Sequence, residues 1–502
     1  MYLPVLVVLS LVLAFETPPY PLIVGSGWTI ASAAFATVAP GALAALVGRR
    51  VLQLLDANPA DPGPGQYRYS RGVLRVQTVL LMLQSALMLT TDWLPMCMRT
   101  PVVGEWLVVP SLLALVPLLL SILLVWAALY PAERAVRQIA LEIYLFRGKP
   151  VTPVPTLGRH LMYSLRHQVL FILAPMLLIL AARDVIEHCA EPLQRASGIR
   201  LLPDLLMGVS AGLVALVAPL ILRVVWVTQR LPDGPLRDRL QSVATKLRVR
   251  CAEILVWRSG GMLVNAAVMG LVGPLRYVLI TDAMLEQMDD RQIEAVFGHE
   301  AGHIKRHHIL FFFLFASITG ALVTIVTMRT HGLDPLVHQL VLAGVGALLI
   351  LKWGVLFGYV SRRFERQADV YGVRTLALAG VPCERPCALH GNAAAPTSFT
   401  QMRDPLCATA AELFSGTLHQ VAVLNGIPPE APSWRHSSIS SRSQFVNRLA
   451  AGAGAAARFE RQLWWIKIAI LGAAALFGAW AAYEMRLPEA LQTILTRMAS
   501  RG

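Results

Sequence analysis

With 502 residues, 56% of them hydrophobic and only 15% charged, and a mean hydropathy of +0.57, the chain falls outside the soluble globular class and reads as a polytopic membrane protein. The net charge of +14 does not call for nucleic acid, because Lys and Arg gather in the cytoplasmic loops of such proteins. The six cysteines form no tight framework.

Residues 2 to 15 are almost wholly apolar with no basic residue before them, which predicts a short membrane helix in place of a secretory signal. Pro18, Pro19 and Pro21 break it, and a second span rich in Ala and Gly is expected over residues 22 to 47. A polar loop follows from Asn58 to Gly72, then two spans at 73 to 94 and 106 to 129 in a hairpin. Residues 131 to 149 form a basic amphipathic stretch expected to lie on the membrane surface. Fifth and sixth spans are expected at 169 to 182 and 205 to 227. Cys97 and Cys189 fall in the loops read as outer, where a disulfide is chemically available.

From Gln229 ordinary polar residues return, and residues 255 to 257, 262 to 267 and 277 to 281 read as short strands between Gly-containing turns. Asp289, with Gln292 three residues on, then supplies a capping box, and Ile293, Val296 and Phe297 a buried face. The helix so started carries G-H-E-A-G-H-I-K-R-H-H at Gly298 to His308. Residues four apart share a helix face, so His299 and His303 present two imidazoles to one point with Glu300 beside them. This H-E-x-x-H arrangement is two zinc ligands and a carboxylate placed to deprotonate a water. The helix is expected to continue without a break into a seventh span, 309 to 328, with an eighth at 335 to 360.

Just beyond lies S-R-R-F-E-R-Q-A-D, in which Glu365 offers the third ligand and Asp369, one turn on, a hydrogen-bond acceptor for a ligand imidazole. Lys352 is unusual at membrane depth, either lining a polar cavity or snorkelling. Cys383, Cys387 and His390 are at most a metal knuckle lacking its second pair. A ninth span is expected at 463 to 485. Basic residues number five and six in loops 48 to 75 and 131 to 166, against one, three and one in 95 to 105, 183 to 203 and 329 to 334, so the first set is read as cytoplasmic. The seventh span then leaves the motif helix outward and the eighth returns, which puts Glu365 on the same side as His299 and His303.

In these motifs the chain resembles the HtpX and CaaX prenyl protease family, family 48 of the metallopeptidases. The likeness runs from about Asn265 to Leu449 and includes N-A-A-V-M-G at Asn265, the two motifs above and, more loosely, R-H-S-S-I-S-S-R at Arg435 to Arg442. It implies one Zn²⁺ per chain on His299, His303 and Glu365, with Glu300 as the base. It further implies Asn265 on an edge strand that aligns substrate, His436 as a stabiliser of the tetrahedral oxyanion and Arg442 as outer support for the ligands. Ser437 replaces the family's usual proline, and six spans before the catalytic region exceed the two typical of HtpX. Nothing in the chain is specific for a prenyl group.

The expected architecture is therefore mainly α, a polytopic helical membrane protein of about nine spans with a gluzincin-type protease domain carrying a small β-sheet. Its parts are a membrane region at 1–228, a metalloprotease domain at 229–462 interrupted by a transmembrane hairpin at 309–360, and a last helix and tail at 463–502. The expected activity is zinc-dependent hydrolysis of membrane or membrane-proximal proteins at the cytoplasmic face of a bacterial inner membrane, with a protein or peptide substrate and the lipid bilayer as partners and no nucleic acid. Two other readings are a signalling metalloprotease switched by its front half, and a transporter or scaffold with a vestigial metal site.

Overall fold

A computed structural model describes residues 22–99, 108–146, 153–197, 202–261, 263–330, 332–380, 406–431, 433, 435–452 and 454–484. The chain divides into two compact units, Met1–Trp226 and Val227–Gly502.

The first unit is built of helices, with an isolated bridge between Ile23 and Thr91 among its described residues. Its elements are α1 (Ser26–Ala57), α2 (Gly63–Thr90), the short α3 (Trp93–Met98), α4 (Val109–Phe146), α5 (Leu157–His188, with a π turn at Leu165–Leu170), α6 (Ala190–Ser197) and α7 (Leu202–Val225). The Ala and Gly content of α1 has a packing reason: α1 lies along α2 and α4, and a β-carbon on Gly41 would stand 3.0 Å from that of Leu124. Leu80, Leu87, Leu115, Leu118 and Ile122 fill the core. Buried Gln84 donates through Nε2 to the Ala36 carbonyl at 3.0 Å, which satisfies the nitrogen end of its amide.

Two local expectations fail here. The segment read as a loop up to Gly72 is already helix from Gly63. The stretch from Pro131 is no separate surface helix, because α4 runs through that proline to Phe146; a proline in a membrane helix is tolerated where neighbouring groups absorb the lost bond. Cys97 is buried on α3 and Cys189 partly buried, and both are free thiols, so the disulfide is not formed.

The second unit begins with β1 (Thr228–Arg230) and α8 (Pro235–Lys246), followed by β2 (Glu253–Trp257), β3 (Ala266–Met269) and β4 (Tyr277–Thr281). The sheet order is β1-β2-β4-β3, with β2 parallel to β4 and the outer pairs antiparallel, so β3 is an edge strand. Helices α9 (Asp282–Gln287), α10 (Asp290–Lys305), α11 (His308–Thr330), α12 (Pro335–Leu351), a π turn (Lys352–Phe357), α13 (Gly358–Leu378), α14 (Ala408–Leu424), α15 (Ile439–Ala451) and α16 (Ala455–Glu484) complete it. The core joins Val278 and Ile280 of β4 to Ile293 and Phe297 of α10, Phe364, Val370 and Val373 of α13 and Phe414 of α14.

Among the described residues six helices are long and apolar enough to cross a membrane, or seven if the bent pair α10–α11 counts as one span, against the nine expected. The first expected span lies outside the described residues, as do Cys383, Cys387 and His390. The eighth is divided between the 17 residues of α12 and the π turn. Lys352, on that turn, donates to the Phe315 carbonyl and the Thr319 hydroxyl of α11, which gives its ammonium acceptors within the helical hairpin.

Candidate metal centre

Helix α10 starts where the sequence places its cap: Asp289 accepts from the Gln292 amide at 2.9 Å and the Gln292 side chain accepts from the Asp289 amide at 3.2 Å. The helix then packs along α13 with almost no separation. A β-carbon on Gly298 would stand 2.6 Å from that of Thr375, and one on Gly302 3.0 Å from the Cα of Ala368. The two glycines are four residues apart and so form one face of α10, on which only glycine lets the backbones meet this closely. His299 and His303, each one residue further on, are carried to the rim of the same crossing, opposite Glu365 and Asp369.

There the Nε2 atoms of His299 and His303 stand 3.2 Å apart, and the two oxygens of Glu365 lie 3.6 Å from the first and 3.7 Å from the second. Donors placed tetrahedrally about 2.0 to 2.2 Å from one ion are about 3.3 to 3.6 Å from each other. The three side chains therefore fit around a single cation and could hold one. Two imidazoles and a carboxylate make a borderline donor set suited to a first-row divalent ion.

The surroundings divide between the two histidines. Nδ1 of His299 lies 2.9 Å from Asp369 Oδ1. Asp369 is gripped in turn by Arg442, whose Nε donates to Oδ2 at 2.9 Å and whose Nη2 donates to Oδ1. Burial lowers the pKa of His299, but Asp369 and Glu365 outweigh it and leave the value raised to about 9. Burial, helped by His299 and Arg442, depresses His303 to about 4, so that imidazole is neutral near pH 7. Burial would raise both carboxyls; Arg442 and His299 instead hold Asp369 below its usual range, and His299, His436, His303 and Arg442 hold Glu365 well below its own. Glu300 shifts the other way: burial pushes its carboxyl up to about 7, against the opposing pull of His299 and of the Val268 amide on β3. One cluster thus holds a carboxylate that stays ionised and a carboxyl poised near neutrality.

His436 lies with Nδ1 3.0 Å from Glu365 Oε1 and is half exposed. Its position follows from a turn in which the His436 amide donates to the Ser433 hydroxyl and Ser437 takes a positive φ of 65°, before Ser438 caps α15. Arg442, on the first turns of α15, also brings Nη1 within 3.7 Å of Glu365. Asn265 lies outside these contacts. It is exposed at the head of β3, its backbone exchanging hydrogen bonds with Thr281, and β3 packs against α10.

His308 has no role in the sequence reading, yet its Nδ1 lies 2.9 Å from Nδ1 of His303 and it is fully buried. A straight helix would point a residue five positions on about 140° away from His303. The expected unbroken run from α10 into the seventh span does not occur: α10 ends at Lys305, His307 takes φ 56°, and α11 leaves at a bend of 48°. That left-handed residue, a conformation His adopts more readily than most, turns His308 back under His303. With neither Gly nor Pro at the bend, the sequence carries no local mark of it.

The comparisons with known proteins point one way. Residues 231–423 match the family model for Peptidase family M48, a segment that holds His299, Glu300, His303, Glu365 and Asp369 and stops short of His436 and Arg442. The chain is 31% identical over 163 residues to a CAAX prenyl protease 1 homolog of Arabidopsis thaliana, covering 29% of this chain and 37% of that protein. It is 28% identical over 166 residues to a Protease HtpX homolog of Archaeoglobus fulgidus, covering 32% and 48%. The matches thus span less than half the length of either relative. Among solved structures, the crystal structure of S. mikatae Ste24p aligns with 84% of this chain and 99% of its own at 14% identity, with a TM-score of 0.48.

Proposed function

We propose, from the match of residues 231–423 to the family model for Peptidase family M48, that the protein is a membrane-embedded, zinc-dependent endopeptidase that hydrolyses peptide bonds of membrane or membrane-proximal proteins. The observation that carries this reading is the meeting of His299 Nε2, His303 Nε2 and the Glu365 carboxylate from two helices, with gaps of 3.2 to 3.7 Å.

Zinc, when bound by these three residues, polarises a scissile carbonyl and makes a water more acidic. The protein's own groups do the rest. Glu300, with a pKa near 7, takes the proton from water and returns it to the departing amine. Asp369, fixed by Arg442, stands 2.9 Å from His299 Nδ1 and keeps that ring's Nε2 turned toward the metal position. His436, at the exposed lip of the site, donates to the oxyanion as it forms. Asn265 and β3 align the substrate main chain through the strand's open edge. The excess of Lys and Arg in the segments 48 to 75 and 131 to 166, at helix ends and their connections, supports a cytoplasmic location for the site, as in a bacterial inner membrane.

The test is Glu300→Gln in the purified full-length protein. The variant retains zinc and loses casein cleavage by at least about a hundredfold, the usual worth of a general base. Cleavage at the wild-type rate would reject the mechanism, and wild-type protein that takes up no zinc would reject the metal.

A further inference from the structure

We propose that His308 is the positioning residue of His303: it accepts the His303 Nδ1 proton and so fixes the ring with its Nε2 lone pair turned to the metal. The inference rests on the reading of His303 as a zinc ligand.

The support is a chain of hydrogen bonds that admits one set of proton positions. Gln367 lies between His308 and the last helix. Its Nε2 donates to Glu460 Oε2 at 2.6 Å and its Oε1 accepts from the Lys467 ammonium at 3.1 Å, so the orientation of the amide is fixed from both ends. The same Oε1 is 2.9 Å from His308 Nε2, which must therefore be the donor. A neutral imidazole that donates through Nε2 has only a lone pair at Nδ1. His303 must then supply the proton of the 2.9 Å contact between the two Nδ1 atoms, which leaves its own Nε2 unprotonated and facing His299 Nε2. Any other assignment places a proton where the cation would bind.

The relay is held in place at each step. His308 stacks on Phe364 with ring centroids 4.3 Å apart and planes 7° from parallel. Glu460 accepts from Arg306 at 2.8 Å and Arg374 at 3.3 Å, and Lys467 donates to the Arg306 carbonyl at 2.7 Å. The two motif histidines thus have different supports: a carboxylate held by an arginine behind His299, and an uncharged imidazole held by an amide behind His303. Helix α16, distant in sequence, becomes part of the site through Glu460 and Lys467.

Zinc affinity of the full-length protein in detergent, read by competition with a chelating indicator, tests the assignment. His308→Phe keeps the stack and removes the acceptor, while His308→Asn places an oxygen where Nδ1 was. The expected loss is about 10- to 100-fold for His308→Phe, the usual effect of removing a ligand's outer partner, and no more than about threefold for His308→Asn. Wild-type affinity in His308→Phe, or a loss of about tenfold or more in His308→Asn, overturns the proposal. If His308→Phe fails to accumulate, His308→Asn alone decides by the same criterion. His303→Ala separates the two readings: if it binds zinc as the wild type does, it is the zinc site that falls.

Discussion

Arg442 closes on Asp369 from 73 residues along the chain, and both side chains are buried. The pair is a fork on a carboxylate whose other neighbour is a histidine of the candidate metal centre, so its loss is felt twice. Arg442→Met leaves buried Asp369 charged with only His299 to face it, and the expected destabilisation is up to about 3 to 5 kcal/mol, seen as a fall in the thermal midpoint of the metal-free protein. Arg442→Lys keeps the charge but cannot make two parallel bonds, and is expected to fall between that variant and the wild type. A midpoint for Arg442→Met equal to the wild type would show that the fork supports nothing.

The absence of room between α10 and α13 makes a second prediction. Gly298→Ala places a methyl 2.6 Å from the Thr375 β-carbon, and the helices must separate to admit it. The expected cost is about 1 to 3 kcal/mol of stability, with weaker zinc binding because His299 and Glu365 are carried apart. Gly320→Ala on α11, where a β-carbon meets nothing within 4 Å, is the matched control and should lower neither quantity. Equal behaviour of the two variants would contradict the close crossing.

Asp289 gives the helix its start, and the hydrogen bond its side chain accepts from the Gln292 amide can be removed without touching the site. Asp289→Ala should lower the stability of the metal-free protein by about 1 kcal/mol, while Asp289→Ser, which still accepts from the Gln292 amide, should recover most of it. Identical melting of all three proteins would show that the box contributes nothing.

Metal uptake should depend on pH in a defined direction. In the metal-free protein His299 has a pKa raised to about 9 and His303 one lowered to about 4, so near pH 7 one ligand proton must leave before both imidazoles can bind. Zinc affinity should therefore rise with pH, by roughly tenfold per unit between pH 7 and 9, and level off above. Calorimetry in buffers of different ionisation enthalpy would count the proton released. An affinity flat across that range would mean that Asp369 and Glu365 do not raise His299.

What the sequence revealed of the site follows from distance along the chain. The candidate ligands and Asp369 lie at intervals of four residues within two helices, and helical spacing alone brings each pair to one face; the clustering of His299, His303, Glu365 and Asp369 was legible for that reason. The cap at Asp289 and the strands were legible through equally local patterns, with β3 shifted to 266–269 and β1 missed because three residues make no period. Arg442 and His436 came by family likeness, since nothing near them announces a partner about 70 residues away. The relay through Gln367 to Glu460 and Lys467 joins residues 93 and 100 apart, and it depends on a bend that no glycine or proline marks. Among the described residues six or seven spans are found against nine expected, in part because helix α12 ends at 17 residues in a π turn.

Among the described residues no strand pairs with the outer side of β3, and on the proposed reading that edge sets a condition on the substrate. A strand edge offers amides and carbonyls at about 3.3 Å intervals and can be satisfied only by a stretched backbone. A helical segment has already spent those groups on itself, so it has nothing to exchange. If substrate is aligned on β3 as proposed, a bilayer-spanning protein would be gripped here only where some four residues of it have already come uncoiled, matching the length of β3. On the proposed reading, the protein is a detector of local unwinding before it is a cutter of bonds.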